Sequence, residues 1–405
     1  MAIGRPTLIS ADSHVNEAPD LWEARLTEQL RDRGPRLVHT DDGRDLWVAE
    51  GINPVPLMWA TNAAGQRGDG EAFDDHEMTI TRDEMMRGSY DPVARLADMD
   101  ADGLSAEVLY PGPLGGLGGG GGVAALPDPE LRWACLRAYN DWLAEFCAVA
   151  PERLVGLALV RIEEPDLAAA ELERAAGLGL RGAVINAMPD TTGAEPIFSP
   201  TYEPVWSAAE DAGIPLSLHI GHCRSLAPIA SAASRTAEAG TGNPLSAAGS
   251  QTGLAEMFFT MMCLDMAEPV SLLVFSGVLE RHPRLRFVIA ESGIGWIPFV
   301  LERMDYTFGR HRNWMKTGIS ERPSDQFRRS FHATFQQDDE TGLLARHITG
   351  VDTLLWASDY PHTDSTWPYS QRVVERLFEG VPDDERELIC AGNARRLYGL
   401  AEPAA

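Results

Sequence analysis

Lysine is almost absent from this 405-residue chain: Lys316 is the only one among 34 basic residues, which face 60 acidic ones for a net charge of −26. That balance excludes a surface built to grip nucleic-acid phosphates or an anionic membrane, so the expected partner is a small molecule. The five cysteines, Cys135, Cys147, Cys223, Cys263 and Cys390, never approach CxxC spacing, which excludes a thiolate metal site and favours buried thiols in a reducing compartment. No run of about 18 apolar residues occurs, and the opening Met-Ala-Ile-Gly-Arg-Pro carries no apolar signal core. A cytoplasmic protein, assembled as a homo-oligomer such as a dimer, is the expectation.

What is present is a regular alternation. With 44% apolar residues the chain can bury a large core. Short apolar runs at 7–13, 106–111, 154–161, 181–187, 214–220, 286–291, 331–335 and 353–358 read as strands, and eight strands separated by helices suit a barrel. Helical patterns fall at 128–149, 165–178, 201–212, 268–281, 296–308, 339–347 and in a C-terminal group from 367 to 399. Asp128-Pro-Glu and Glu164-Pro-Asp place proline in a first helical turn, and Gly213 suits a helix end. Two insertions interrupt the scheme, 15–104 after the first strand and 223–266 after the fifth, both on the face where barrel loops shape pockets or subunit interfaces. The glycine run 115–122 lacks the Lys-Ser/Thr of a phosphate loop and reads as a mobile active-site loop without a nucleotide.

The chemistry gathers at strand ends. Asp12 and His14 close the first strand at i and i+2, which turns both to one side of an extended chain. His219 closes the fifth strand, Glu291 the sixth and Asp359 the eighth. One such residue alone is as well explained as a satisfied histidine or a capping carboxylate. Four donors on strands 1, 5 and 8 point instead to one divalent cation on the C-terminal rim of a single barrel domain.

The chain also resembles the amidohydrolase superfamily, in the branch of aminocarboxymuconate-semialdehyde decarboxylase and related metal-dependent decarboxylases and hydrolases. The resemblance lies in Asp12-Ser-His14, His219, Ser276-Gly-Val-Leu-Glu-Arg-His-Pro-Arg-Leu-Arg-Phe287, Ala290-Glu-Ser-Gly-Ile-Gly-Trp-Ile-Pro298, Trp356-Ala-Ser-Asp-Tyr-Pro-His362 and Gly392-Asn-Ala-Arg-Arg-Leu-Tyr-Gly-Leu400. It implies a distorted (β/α)8 barrel in which Asp12, His14, His219 and Asp359 ligate a metal that activates water. Family decarboxylases carry a catalytic histidine after the sixth strand, where this chain has Glu291. Carboxylated lysine bridges are excluded because Lys316 follows a helix, leaving either one ion or two bridged by Glu291, with His222 or His362 completing the second. Glu17 is a weaker option, read as an exposed loop carboxylate.

An ionised Glu291 would repel a substrate carboxylate, so the leading expectation is hydrolysis of an ester, thioester, amide or lactone bearing a bulky apolar group. In it Asp359 takes the water proton, and Glu291 or His222 protonates the leaving group. Zn²⁺, Mn²⁺ and Fe²⁺ all suit the donors. The alternative is nonoxidative decarboxylation of an aromatic or enoic carboxylate.

Overall fold

The structure, a computed structural model, describes residues 7–66, 79–112, 114, 122–221, 254–337 and 339–401. Eleven strands are labelled in chain order: β1 (Leu8–His14), β2 (Arg36–His39), β3 (Asp45–Val48), β4 (Val55–Pro56), β5 (Leu104–Tyr110), β6 (Leu154–Leu159), β7 (Gly182–Ile185), β8 (Leu216–His219), β9 (Phe287–Ala290), β10 (Phe331–Phe335) and β11 (Leu354–Trp356). Eight of them form one sheet in the order β1, β5, β6, β7, β8, β9, β10, β11, and each registered pair is parallel. These are the eight apolar runs of the sequence, and all are buried because helices cover one face while Ile9, Val108, Leu157, Val184, Val288 and Leu355 fill the interior.

Helix starts follow local chemistry. Asp91 accepts from Val93 N–H and Ala94 N–H at the head of Pro92–Asp102, and Asp128 accepts from Glu130 N–H at the head of Pro129–Ala148. The helix read as 296–308 runs on from Ile297 to Met315 and ends at Lys316, left-handed at φ 52°. The helix Pro323–Ser330 escaped the sequence reading because it buries Ser324, Gln326 and Ser330 where an apolar stripe would be expected. In the first insertion, β2, β3 and β4 build a separate antiparallel sheet, missed because its outer strands are short and part-exposed.

The two ends of the barrel differ. Ala391, Ala394, Tyr398 and Leu400 join the interior cluster, and Arg181, just before β7, donates to Gly399 O at 3.0 Å. The C-terminal segment therefore plugs the strands' N-terminal end, leaving the opposite end for a site.

Closure of β11 onto β1 is made at that opposite end. Asp359 N–H donates to Asp12 O (2.9 Å) and His14 N–H to Tyr360 O (2.6 Å). The fully buried Arg95 supports the seam: its guanidinium donates to His14 O at 2.8 Å, lies 4.3 Å from the Tyr360 ring centroid and pairs with Glu107. Ser13 bonds Glu107 at 3.3 Å and Ser358 at 3.2 Å, tying the cation to both strands. Arg95→Ala would leave Glu107 buried without its counter-ion, so the unfolding free energy should fall by about 3–5 kcal/mol, read from the urea midpoint. A midpoint equal to wild type would show that closure does not depend on this ion.

Candidate metal centre

On β1 the register against β5 slips between Ser10 and Ser13, a bulge that lets Ile9 and Ala11 pack in the barrel while Asp12 and His14 also reach the mouth. His14 Nε2 lies 3.6 Å from Asp12 Oδ1 and 3.4 Å from Asp359 Oδ1. His219 Nε2 lies 3.8 Å from Asp12 Oδ1 and 3.2 Å from Glu291 Oε2. Donors about 2.0–2.2 Å from an ion at tetrahedral angles sit roughly 3.4 Å apart, close to these spacings.

Both imidazoles are oriented from behind. His14 Nδ1 bonds Pro111 O at 3.0 Å and His219 Nδ1 bonds Ile220 O at 2.7 Å. A carbonyl only accepts, so each Nδ1 carries the proton and each Nε2 offers a lone pair. His14 Nε2, His219 Nε2, Asp12 Oδ1, both Asp359 oxygens and His362 Nε2 are buried without a hydrogen-bond partner among the described residues. So many bare polar atoms facing one another are costly unless something bridges them, and a divalent cation is the group this donor set fits.

Two overlapping donor groups result, Asp12 with His14 and His219, and His14 with Glu291, Asp359 and His362. Of the residues singled out by sequence, Asp12, His14, His219, Glu291 and Asp359 therefore converge. His362 joins them, its ring stacked on His14 at 4.0 Å and its Nδ1 3.2 Å from Asp359 Oδ1. His222 lies outside the described residues, as do 222–253 of the second insertion and glycines 115–121. Glu17 corrects the reading of an exposed carboxylate: it is 2% exposed and packs against Gly112, where a Cβ would fall 2.8 Å from Oε2.

Glu291 reaches the cluster by breaking the strand rule. Ala290 already faces the barrel interior, so alternation would turn Glu291 outward; its φ of 54° swings it back to His219. Asp359 is also left-handed, at φ 57°. Three residues missed by sequence hold this corner. Thr334 accepts from Glu291 N–H (2.8 Å) and donates to Asp12 Oδ2 (3.0 Å), and Asp339 accepts from Ile294 N–H and Gly295 N–H at 2.6 and 2.9 Å. Gly293 has to be glycine, since at φ 61° a Cβ would come within 2.7 Å of Asp339 Oδ2. Thr334 was detectable as a polar residue in an apolar strand.

Charge is distributed unevenly. Burial lifts the Asp12 carboxyl to about 7 against the opposing pull of His14, with Asp359 adding to the lift. Burial, then the charges of Asp359 and Asp12, raises Glu291 well above its ordinary value. Burial would raise Asp359 too, but His362 and His14 outweigh it and hold the carboxyl well below the carboxylate range. Burial lowers His219 to about 3, so its lone pair is available throughout the neutral range.

An eight-stranded barrel with carboxylates and imidazoles clustered at the C-terminal ends of its strands is the architecture of a barrel enzyme. The chain belongs to the amidohydrolase family, whose model matches residues 14–400. It is 29% identical over 321 residues to gamma-resorcylate decarboxylase of Rhizobium sp. (strain MTP-10005), covering 76% of this chain and 86% of that protein. The fold matches an amidohydrolase from Mycobacterium avium subsp. paratuberculosis K-10 with TM-score 0.71 at 21% identity, over 98% of this chain and 100% of the other. It also matches dihydroxybenzoic acid decarboxylase from Polaromonas sp. JS666, solved with bound manganese and the inhibitor 2-nitroresorcinol, with TM-score 0.58 at 18% identity over 98% and 97% of the two chains.

The Rhizobium relative overturns the expectation of acyl hydrolysis, because the activity it is named for is decarboxylation. The repulsion argument for hydrolysis required an ionised Glu291, whereas burial, then the charges of Asp359 and Asp12, pushes its carboxyl well above its ordinary value.

His219→Ala or Asp359→Ala should strip bound metal, measured by elemental analysis, with the circular dichroism spectrum unchanged; full metal content in either variant would remove that residue from the site. Metal affinity should also depend on pH with a defined sign. Asp12 moves from 3.8 to about 7 in the fold, so below about 7 an incoming ion must displace its proton, while His219 has none to lose. Affinity should therefore fall by about tenfold per pH unit as pH drops from 7 toward 5; titration with a competing chelator reads this, and a flat profile would contradict it.

Proposed function

We propose that this chain is a metal-dependent nonoxidative decarboxylase of an aromatic carboxylate carrying a neighbouring ring oxygen. The observation that carries the reading is the 29% identity with gamma-resorcylate decarboxylase over 76% of the chain, joined to a mouth in which burial raises the Glu291 carboxyl well above its ordinary value. Asp12, His14, His219 and Asp359 would hold the ion. His14 belongs to both donor groups but has one free nitrogen, which favours a single ion per chain. The mixed oxygen and nitrogen donors suit Zn²⁺, Mn²⁺ or Fe²⁺, and manganese in the Polaromonas decarboxylase supports Mn²⁺.

When bound, the ion supplies Lewis acidity that grips the substrate oxygens and stabilises charge developing on the ring. Asp359, kept ionised by His362 and His14, suits a role as acceptor of a hydrogen bond from a substrate hydroxyl. Glu291 delivers its proton to the ring carbon bearing the carboxylate. The carbon–carboxylate bond then breaks with its electron pair returning to the ring, CO₂ leaves, and the Glu291 carboxylate regains a proton from solvent. Glu291 thus takes the place of the histidine that family decarboxylases carry. The cytoplasmic location is supported by buried thiols at Cys135, Cys147 and Cys390, and a homodimer by the exposed Phe299, Tyr306 and Trp314 on one helix.

The manganese-loaded protein should release CO₂ from 2,6-dihydroxybenzoate or a related hydroxybenzoate, followed by CO₂ capture and product mass. Absence of release across that set sinks the reading. Glu291→Gln should keep its metal and lose about 10²–10⁴-fold in kcat, whereas loss of the ion in that variant would make Glu291 a ligand in place of the proton donor.

A further inference from the structure

One side chain at the mouth is left unused by this chemistry. β10 alternates Phe331, Ala333 and Phe335 toward the helices, and they join the outer core. Thr334, on the opposite phase, turns into the barrel and donates to Asp12 Oδ2 at 3.0 Å. Gln336 lies one residue past β10, where Ala357 N–H still donates to Phe335 O at 2.9 Å, and the alternation continued from Thr334 assigns it to the same interior side, one step of about 6.6–6.8 Å nearer the mouth. Continuing the β10–β11 register of Thr334 with Leu355 and Phe335 with Trp356 sets it beside Ala357, and beyond Ala357 the chain reaches Asp359. Gln337, on the other phase, is already occupied, donating to Asp364 O at 3.0 Å.

The Gln336 amide nitrogen is buried and has no hydrogen-bond partner among the described residues. A buried amide donor without a partner costs free energy, and such groups persist at sites where a ligand completes the bond. The mouth is built from Asp12, Asp359 and Glu291, which offer acceptors or a single proton, and the Gln336 amide is a neutral donor suited to an oxygen.

We propose that Gln336 is a specificity residue, donating a hydrogen bond from Nε2 to an oxygen of the aromatic acid held at the metal centre. This rests on the decarboxylase reading. A polar partner built into a pocket discriminates strongly, because a substrate lacking the matching group leaves the donor buried and empty. The role is recognition, so the bond forms in the bound state and persists through the reaction, acting on KM more than on kcat.

The test compares wild type, Gln336→Leu and Gln336→Glu, each loaded with manganese. Binding of 2,6-dihydroxybenzoate is measured by calorimetry and CO₂ release is measured separately. Gln336→Leu should keep full metal content and bind the acid about tenfold more weakly, with kcat changed less than KM. Gln336→Glu should bind more weakly still, because it puts an acceptor where a donor is needed. Equal binding in wild type and Gln336→Leu, with CO₂ release intact, overturns the role of Gln336 and leaves the decarboxylase reading standing. Binding that weakens in the variants without any CO₂ release from wild type supports Gln336 and sinks the reaction. No binding by wild type overturns both.

Discussion

The barrel closes where its site is made. Two backbone hydrogen bonds, Asp359 N–H to Asp12 O and His14 N–H to Tyr360 O, join the last strand to the first, and the residues that make them also present the donor side chains. The spacing between those donors is therefore set by the closure of the main chain more than by side-chain rotamers. Arg95 reinforces this from beneath, reaching His14 O and the Tyr360 ring with one guanidinium. Such support matters because ligands displaced by a fraction of an ångström lose much of their grip on an ion.

Gathering three carboxylates and three imidazoles out of water forces them to divide their protons. Asp359 stays ionised because His362 and His14 face it, and the remaining negative charge is pushed away from Asp12 and Glu291 by burial. This division is what allows two like groups to do different work, one binding as an anion and the other carrying a proton. It also explains why replacing a histidine by Glu291 does not exclude decarboxylation. Burial beside other carboxylates raises a carboxylic acid toward holding its proton, the cause being desolvation in place of the intrinsic basicity of an imidazole.

Much of the architecture was legible in the chain. All eight barrel strands were visible as apolar runs, because strands of a parallel barrel are buried on both faces and need no alternation. Asp12, His14, His219, Glu291 and Asp359 were legible as candidates because each lies at or just past the C-terminal end of such a run. The elements that escaped lack that signature. The sheet β2 to β4 is half exposed, and Pro323–Ser330 buries polar groups whose partners lie elsewhere in the chain.

Sequence alone determined the eight strands of the barrel, the order of the donors along the chain and the exclusion of a carboxylated lysine, since composition and periodicity are local properties. Only the tertiary structure decided which donors meet and in what protonation state. The inward turn of Glu291 depends on a left-handed backbone at φ 54°, held by Thr334 and by the Asp339 anchor of the following loop. The burial of Glu17, the seam ion Arg95 and the unpaired amide of Gln336 likewise arise from contacts between distant segments. The direction in which each buried carboxyl shifts follows the same rule, since it is set by what surrounds the group in space, which its neighbours in sequence do not reveal.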